Sequence, residues 1–401
     1  MTDAVSPVAA AAQWRMWPLY AAGFTTAFGA HAVAANLAFD LEDPGGSLLY
    51  LGLLLALYDG AEVVLKPMFG TLADRIGARP VLFGGLIGFA AASALFVVVG
   101  DSNWLWLARL GQGAAASAFS PSASALVARM TLKAGHGTAF GTYGFYKSLG
   151  YTLGPLLGGV LVWLGGLTLL FAVMAVLALT IAAWAARMVP VLPPLPRNRQ
   201  TVLDLARRLT DRTFLGPTLA LAFATSALSV GVGFLPVTGA AAGLGSVATG
   251  AAVSVLAACA ALVQPRAGRA LDAGRISAES GTALGLLLTA TGLGCAMLPG
   301  LPGVLLAAVA IGSGTGLITP LAFASLAGST PAERMGQTMG AAELGRELGD
   351  AGGPLLVGGV AAVATLTAGF GAIAALTLLG GAVTAAAPLR RHLNFVSPKD
   401  E

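Results

Sequence analysis

The sequence predicts an all-α integral membrane protein whose twelve transmembrane helices form two pseudo-symmetric six-helix bundles. Three observations lead there: a composition too apolar for water, a succession of apolar runs long enough to cross a bilayer, and an internal repeat about 200 residues apart. Hydrophobic residues make up 56% of the 401 and charged residues only 10%, with a mean hydropathy of +0.82. A soluble domain carries about 25% charged residues, so lipid is the solvent that suits this surface. The 55 glycines favour close helix packing in that solvent.

The runs follow in order. Residues 1–13 read as a disordered cytoplasmic tail, and no cleavable signal peptide is evident before Arg15 and the first span. Helices 1 to 6 fall at about 16–38, 48–70, 80–99, 104–128, 138–163 and 167–187, an N-terminal bundle over 14–187. Residues 188–213 read as a cytoplasmic linker, with P-V-L-P-P-L-P followed by the amphipathic T-V-L-D-L-A-R-R-L. Helices 7 to 12 fall at about 214–238, 247–268, 279–298, 302–326, 336–362 and 367–387, a C-terminal bundle over 214–387 before a cytoplasmic tail at 388–401.

Loop charge sets the orientation. Arg15, Arg75, Arg79, Arg129, Lys133, the arginines from Arg187 to Arg212, Arg266, Arg269, Arg275, Arg334, Arg390, Arg391 and Lys399 fall on one side. Asp40, Glu42, Asp43 and Asp101 fall on the other, without a single Lys or Arg. By the positive-inside rule both termini and the linker are cytoplasmic. The net charge of +4 is therefore a topology signal, and no nucleic-acid partner is expected. Cys259 and Cys295 lie in apolar runs without disulfide or metal-ligand spacing. Neither metal nor cofactor is expected.

The repeat relates the two bundles. Pro67-x-x-Gly70-x-x-x-Asp74 returns as Pro265-x-x-Gly268-x-x-x-Asp272, and Pro121 returns as Pro320. The segment from Gly137 aligns with that from Gly336, matching glycines, a Gly-Pro pair and a mid-helix cation, Lys147 against Arg346. Such a repeat implies homologous bundles about an axis along the membrane normal.

Ionisable residues inside the spans point to function. Asp59, Glu62 and Lys66 sit at i, i+3 and i+7 on one face of helix 2. At about 1.5 Å per residue, Asp59 lies roughly 16 Å into a span starting at Leu48, near the bilayer midplane. Glu62 and Lys66 have the favourable i, i+4 polarity and neutralise each other on one reading. Asp59 has no base at i±3 or i±4, so it needs a partner elsewhere or a proton. Glu343, Arg346, Glu347 and Asp350 form a second charged stripe on helix 11, with three acids to one base. Low dielectric disfavours the charged form of a carboxyl, as a proton carrier requires.

Three motifs carry a family resemblance. Gly70-Thr-Leu-Ala-Asp74-Arg75-Ile-Gly77-Ala-Arg79, between helices 2 and 3, matches the G-x-x-x-D-R-x-G-x-R signature of major facilitator superfamily transporters. Arg109-Leu-Gly-Gln112-Gly113 resembles the R-x-x-Q-G motif of proton-coupled members. Gly150-Tyr-Thr-Leu-Gly154-Pro155-Leu-Leu-Gly158-Gly159 matches the G-x-x-x-G-P-x-x-G-G pattern of the antiporters. The chain thus resembles the twelve-helix drug:proton antiporters of that superfamily.

The resemblance implies the major facilitator fold and alternating access. It makes Asp74, Arg75 and Arg79 a cytoplasmic gate, with Asp74 reaching toward helix 11. It gives Arg109 to proton coupling, and helices 2 and 11 meet, so that Asp59 or Glu62 pairs with Arg346. A proton relay over Asp59, Glu62, Glu343, Arg346, Glu347 and Asp350 stands beside the alternative of a static clamp. The small residues of the antiporter motif are expected to let helix 5 approach helix 8. Helix 1 departs from many exporters: it offers only His31 and Asn36 before Asp40.

Substrate contacts are expected from Lys147, Arg346, Gln112, His31, Asn36, Tyr143 and Tyr146, with Phe24, Phe28 and Phe234 near the same cavity. The leading reading is proton-coupled export of a small amphipathic compound by a monomer in a bacterial inner membrane. One alternative is an anionic metabolite clamped by Lys147 and Arg346, and another is a lipid flippase on the same fold. An enzyme is not expected, because His31, His136 and His392 are scattered and no nucleophile–base set assembles.

Overall fold

The computed structural model describes residues 14–36, 44–99, 104–192 and 211–394. The expected N-terminal tail, residues 395–401 of the expected C-terminal tail, the amphipathic part of the linker, and Asp40, Glu42, Asp43 and Asp101 lie outside them, whereas residues 388–394 continue the last helix in place of the expected tail. The described residues form helices and no strand, as an apolar chain must where its backbone bonds are to be met within each span. The elements are α1 (Trp17–Asn36), α2 (Pro44–Ile76), α3 (Ala78–Val99) and α4 (Leu105–Met130). One hydrogen-bonded run, His136–Met188, bends at Gly165 and Gly166 and divides into α5 (136–164) and α6 (167–188). Gly166 has φ 67° and ψ −172°, a region open essentially to glycine alone. The second half holds α7 (Arg212–Ala241), α8 (Ser246–Asp272), α9 (Ala278–Cys295), α10 (Gly300–Ser329), α11 (Met335–Val363) and α12 (Leu366–Asn394). Ala78–Val99, Lys133–Met188, Thr213–Ala241, Ala248–Asp272 and Gly300–Ser329 are each long and apolar enough to cross a membrane.

Two compact units form. One comprises the chain through Gly135, Thr142–Arg199 and Thr330–Leu344; the other comprises His136–Gly141, Gln200–Ser329 and Gly345–Glu401. Each unit therefore includes the start of one helix from the other half of the sequence: α11 in the first, α5 in the second.

In the first unit α4 is the hub, packed on α1, α2 and α3. Every residue from Ala116 to Ala128 is buried, so this helix has no lipid face along that stretch. Phe119 meets Phe89 of α3 edge-on at 5.8 Å. In the second unit α10 is the corresponding hub, packed on α7, α8 and α9. Glycines explain how it gets there: a Cβ on Gly316 would lie 2.6 Å from the Ala260 carbonyl, and one on Gly285 would lie 2.9 Å from that of Gly314. Without a hydrophobic drive between helices in lipid, such close backbone approach supplies the dispersion that holds them. Leu235, Leu256, Leu293, Val304, Ile311 and Phe370 fill the core around it.

Candidate transport site

Asp59, Glu62, Lys66 and Gly70 follow one another along one side of α2 at spacings of three and four. Their burial changes sharply: Asp59 is exposed, whereas Glu62 and Lys66 are 4% and 1% exposed. Lys66 Nζ donates to Glu62 Oε2 at 3.1 Å and lies 4.0 Å from Glu343 Oε2. Lys147 Nζ, on α5, donates to both oxygens of Glu343 at 3.2 and 2.9 Å. A continuous series Glu62–Lys66–Glu343–Lys147 results, buried throughout, with two acids and two bases.

This revises three expectations. Glu343 is not a surplus carboxylate, because it sits between two lysines. Lys147 is not an open cation waiting for an anion, because Glu343 holds it. Of the two partners expected for Glu62, Lys66 is the one it takes, and Arg346 is not. On α11 the remaining stripe is graded: Arg346 is buried, Glu347 half-buried and Asp350 exposed. Arg346 belongs to the second unit, where its carbonyl accepts from Thr225 Oγ1 at 2.8 Å.

Arg109 is 1% exposed. Its guanidinium lies 4.3 Å from the centroid of the Tyr58 ring, a cation–π contact in a dry setting. Asp59 and Glu62 are within electrostatic reach of it. Nη1 donates to Gln112 Oε1 at 3.4 Å, and Gln112 Nε2 donates to Ser93 Oγ at 2.9 Å. Gln112, expected to face substrate, is instead fully buried and orients Arg109.

Asp74 accepts from Gly336 N at 2.7 Å and Gln337 N at 2.8 Å, capping the start of α11. Its repeat mate Asp272 does the same for α5, accepting from Gly137 N at 2.8 Å and Thr138 N at 2.6 Å. The first amides of a helix lack internal partners and favour negative charge, so a carboxylate is well matched to both places. Glycine permits the approach: a Cβ on Gly70 would lie 2.5 Å from the Gly336 carbonyl oxygen. Gly77 turns the chain from α2 to α3 at φ 102°, which an L side chain strains to adopt. Arg75 is exposed. Arg79 does not join the Asp74 contact: its Nη2 donates to Ala186 O near the end of α6 at 2.9 Å, and its guanidinium lies 5.1 Å from the Phe83 ring centroid.

The antiporter-motif glycines pack on α1, contrary to the expectation of helix 8. A Cβ on Gly150 would lie 2.5 Å from Phe24 O, one on Gly154 3.1 Å from Ala32 N, and one on Gly158 2.8 Å from Asn36 Nδ2. Gly159 also approaches Asn36, and Pro155 O accepts from Asn36 Nδ2 at 3.3 Å. The approach to α8 belongs to Gly137 and Gly141, the latter against Gln264 O.

Most expected substrate contacts are already engaged. Asn36 is buried by the contacts just given. Tyr143 is buried against Gly23, and Tyr146 stacks on Tyr20 at 5.7 Å. His31 Nδ1 lies 3.1 Å from Ala27 O, and its half-exposed ring meets Tyr151 edge-on at 4.3 Å. Lys66 pairs with Glu62 as one reading of their i, i+4 spacing expected; three further contributors went unassigned in the sequence: Tyr58, Ser93 and Asp272. Asp272 was visible in the repeat. Tyr58 and Ser93 carry no sequence signal, because what matters is the neighbour they meet.

Residues 19–278 match the Major Facilitator Superfamily. Among curated relatives, MdtD of Salmonella typhi, a protein named for multidrug resistance, is 29% identical over 150 residues, covering 37% of this chain. The inner membrane transport protein YajR of Escherichia coli is 31% identical over 147 residues, covering 36%. In both cases the match spans 32% of the relative's own length. Among solved structures, the human organic anion transporter MFSD10 aligns with TM-score 0.77 at 19% identity, over 93% of this chain and 99% of that one. The E. coli fucose:proton symporter FucP aligns with TM-score 0.74 at 14% identity, over 94% and 97%. Those two likenesses concern the fold.

Proposed function

Because the chain belongs to the major facilitator superfamily, and so is a membrane transporter of small molecules, we propose that it exports a small amphipathic compound in exchange for protons, with Asp59 as the proton-accepting group. The observation that carries this reading is the contrast within α2: Asp59 is exposed, while its neighbours Glu62 and Lys66 and its electrostatic partner Arg109 are buried. A proton carrier needs water on one side and a charge partner in low dielectric on the other. Asp59 has both. Protonating it withdraws compensation from Arg109, whose charge must then be met by Glu62, already bound to Lys66. At an effective dielectric of about 20, one unit charge 4 Å from another is worth about 4 kcal/mol, enough to bias two packings of a charged interior.

Asp74 and Asp272 act as cytoplasmic ties in this scheme. The exporter direction rests on the Gly150–Gly159 motif and on the relative named for multidrug resistance. The relative named as an inner membrane transport protein supports an inner-membrane location, and loop charge supports cytoplasmic termini.

The test is substrate-driven proton movement in proteoliposomes with an imposed pH gradient. Lipophilic cations, neutral amphiphiles and organic anions are each compared on wild type and Asp59→Asn. A compound that dissipates the gradient with wild type and not with the folded variant supports the reading; equal dissipation by both sinks it.

A second reading has its own observation. Lys66 and Lys147, from two different helices, converge on one carboxylate, Glu343. Two such cations suit an organic anion.

A further inference from the structure

Tryptophan and tyrosine are confined to one half of this protein. All six tryptophans and all six tyrosines fall in residues 14–184, within the first compact unit, and the second unit contains neither. The second unit has phenylalanines, among them Phe214, Phe223, Phe234, Phe323 and Phe370, but no indole or phenol. The tryptophans stand at helix ends. Trp14 and Trp17 open α1, and Trp184 lies about one turn from the end of α6. Because successive spans alternate in direction, these ends share one side of the unit. Trp104 immediately precedes α4, Trp106 follows it, and Trp163 stands at the end of α5, all on the opposite side. Five of the six rings are exposed, Trp163 at 83%, and Trp17 is half-buried. From Leu167, where α6 begins, to Trp184 is about 26 Å at 1.5 Å per residue, close to the hydrocarbon thickness of a bilayer.

An indole places an apolar body beside lipid chains and an N–H toward headgroup oxygens and water, so an exposed tryptophan at a span end resists moving in depth. Lysine and arginine do the same by extending to the headgroups. The side with Trp14 and Trp184 also carries Arg15, Arg75 and Arg187, all exposed. The opposite side has no Lys or Arg in the loops of either unit, which leaves rings to hold it. There the first unit presents Trp104, Trp106 and Trp163. The second presents Met297, Leu298 and Leu301 at the turn from α9 to α10 and Val363 at the end of α11, all exposed and all without a polar tip. The repeat sharpens the contrast: at an offset of about 199, Leu164 beside Trp163 corresponds to Val363.

We propose that the headgroup zone of the lipid bilayer is the partner of these rings, and that it pins the first unit at both faces of the membrane but the second unit at its basic end alone. Trp14, Trp17 and Trp184 meet one leaflet, and Trp104, Trp106 and Trp163 meet the other. The second unit is held through the exposed Arg266, Arg269 and Arg275, and its opposite end follows the thickness of the bilayer. When lipid chains lengthen, a unit pinned at both faces keeps its indoles at the headgroups and the lipid around it adjusts. A unit pinned at one face lets its free end sink. This anchoring needs only that the chain spans a membrane, whichever compound it carries.

Two measurements on the full-length protein in phosphatidylcholine vesicles test this, with acyl chains of about 14 or about 20 carbons. In the first, wild-type tryptophan fluorescence, which reports the first unit alone, is quenched by lipids brominated near the headgroup or near the chain end. Quenching is expected to be at least about twofold stronger from bromine near the headgroup, in chains of either length. Stronger quenching from the chain ends overturns the proposal. So does failure of both lipids to quench, because protein, such as a second copy of this chain, would then cover the rings.

In the second, a polarity-sensitive nitrobenzoxadiazole label is attached through Leu164→Cys or Val363→Cys, at positions 60% and 88% exposed, with Cys259→Ala and Cys295→Ala removing the native thiols. Passing from the shorter to the longer lipid is expected to shift emission from position 363 to the blue and to leave emission from position 164 unchanged. Adding Trp104→Leu, Trp106→Leu and Trp163→Leu is expected to make position 164 shift as position 363 does. Equal shifts at both positions with the tryptophans in place overturn the proposal, as does a steady signal from position 363. The quenching measurement needs no variant and so survives a misfolded one.

Discussion

Replacing Asp74 with asparagine removes a carboxylate that accepts from two successive amides, Gly336 N at 2.7 Å and Gln337 N at 2.8 Å. A hydrogen bond to a charged group contributes about 1.5–3 kcal/mol and a neutral one about 0.5–1.5. An asparagine keeps one acceptor oxygen for one amide and turns an NH2 toward the other. The net loss is therefore at least about 1.5 kcal/mol, or at least about tenfold in the equilibrium between the capped and uncapped start of α11. Asp272 offers an internal control, because it holds Gly137 N and Thr138 N in the same way. Hydrogen–deuterium exchange resolves the two places. Asp74→Asn should speed exchange over residues 335–338 by about tenfold or more while leaving 136–139 unchanged, and Asp272→Asn should do the reverse. Equal acceleration at both helix starts in either variant, or none at the capped one, would refute the reasoning that each carboxylate acts locally as a cap.

Gly150→Val introduces a Cβ 2.5 Å from Phe24 O, so α5 must move away from α1; thermal unfolding in detergent should show a loss of about 1–3 kcal/mol. Arg79→Ala removes the bond to Ala186 O and the contact with Phe83, and should cost about 1 kcal/mol in the same assay with no change in substrate-driven proton movement. That outcome separates Arg79 from the gate that its motif suggests. Ser93→Ala strips Gln112 Nε2 of a buried acceptor and should cost about 1–3 kcal/mol, with transport falling because Arg109 is held less firmly.

The helical class, the order of the helices and the break between α5 and α6 were legible, because lipid forces backbone bonding within each span and Gly165–Gly166 interrupts an apolar run. The charged face of α2 was legible too, since periodicity says which residues share a side. Neighbours were not. Gly150, Gly154 and Gly158 read as a surface for close approach, but small residues admit any helix that arrives, and the one that arrives is α1. Arg79 sits in a gating motif and reaches α6, because a long side chain goes where an unsatisfied carbonyl is within range.

The candidate site divides along the same line. Asp59, Glu62, Arg109, Lys147 and Glu343 were singled out by their cost in an apolar span, a property of each residue and its solvent. Their pairing was decided by tertiary structure. Lys147 and Glu343 stand 196 positions apart in the chain, and only the packing of α5 beside the start of α11 brings the ammonium to 2.9 Å from the carboxylate. By itself the sequence determined which charges this protein carries into the membrane and on which helix faces they lie. The three-dimensional fold determined which of them neutralise one another and how deeply each is buried, with Glu62 and Lys66 enclosed and Asp59 exposed. Coulomb energy depends on distances between helices, and those distances are set by glycine contacts, such as that of Gly340 against the Lys66 carbonyl, and by helix caps.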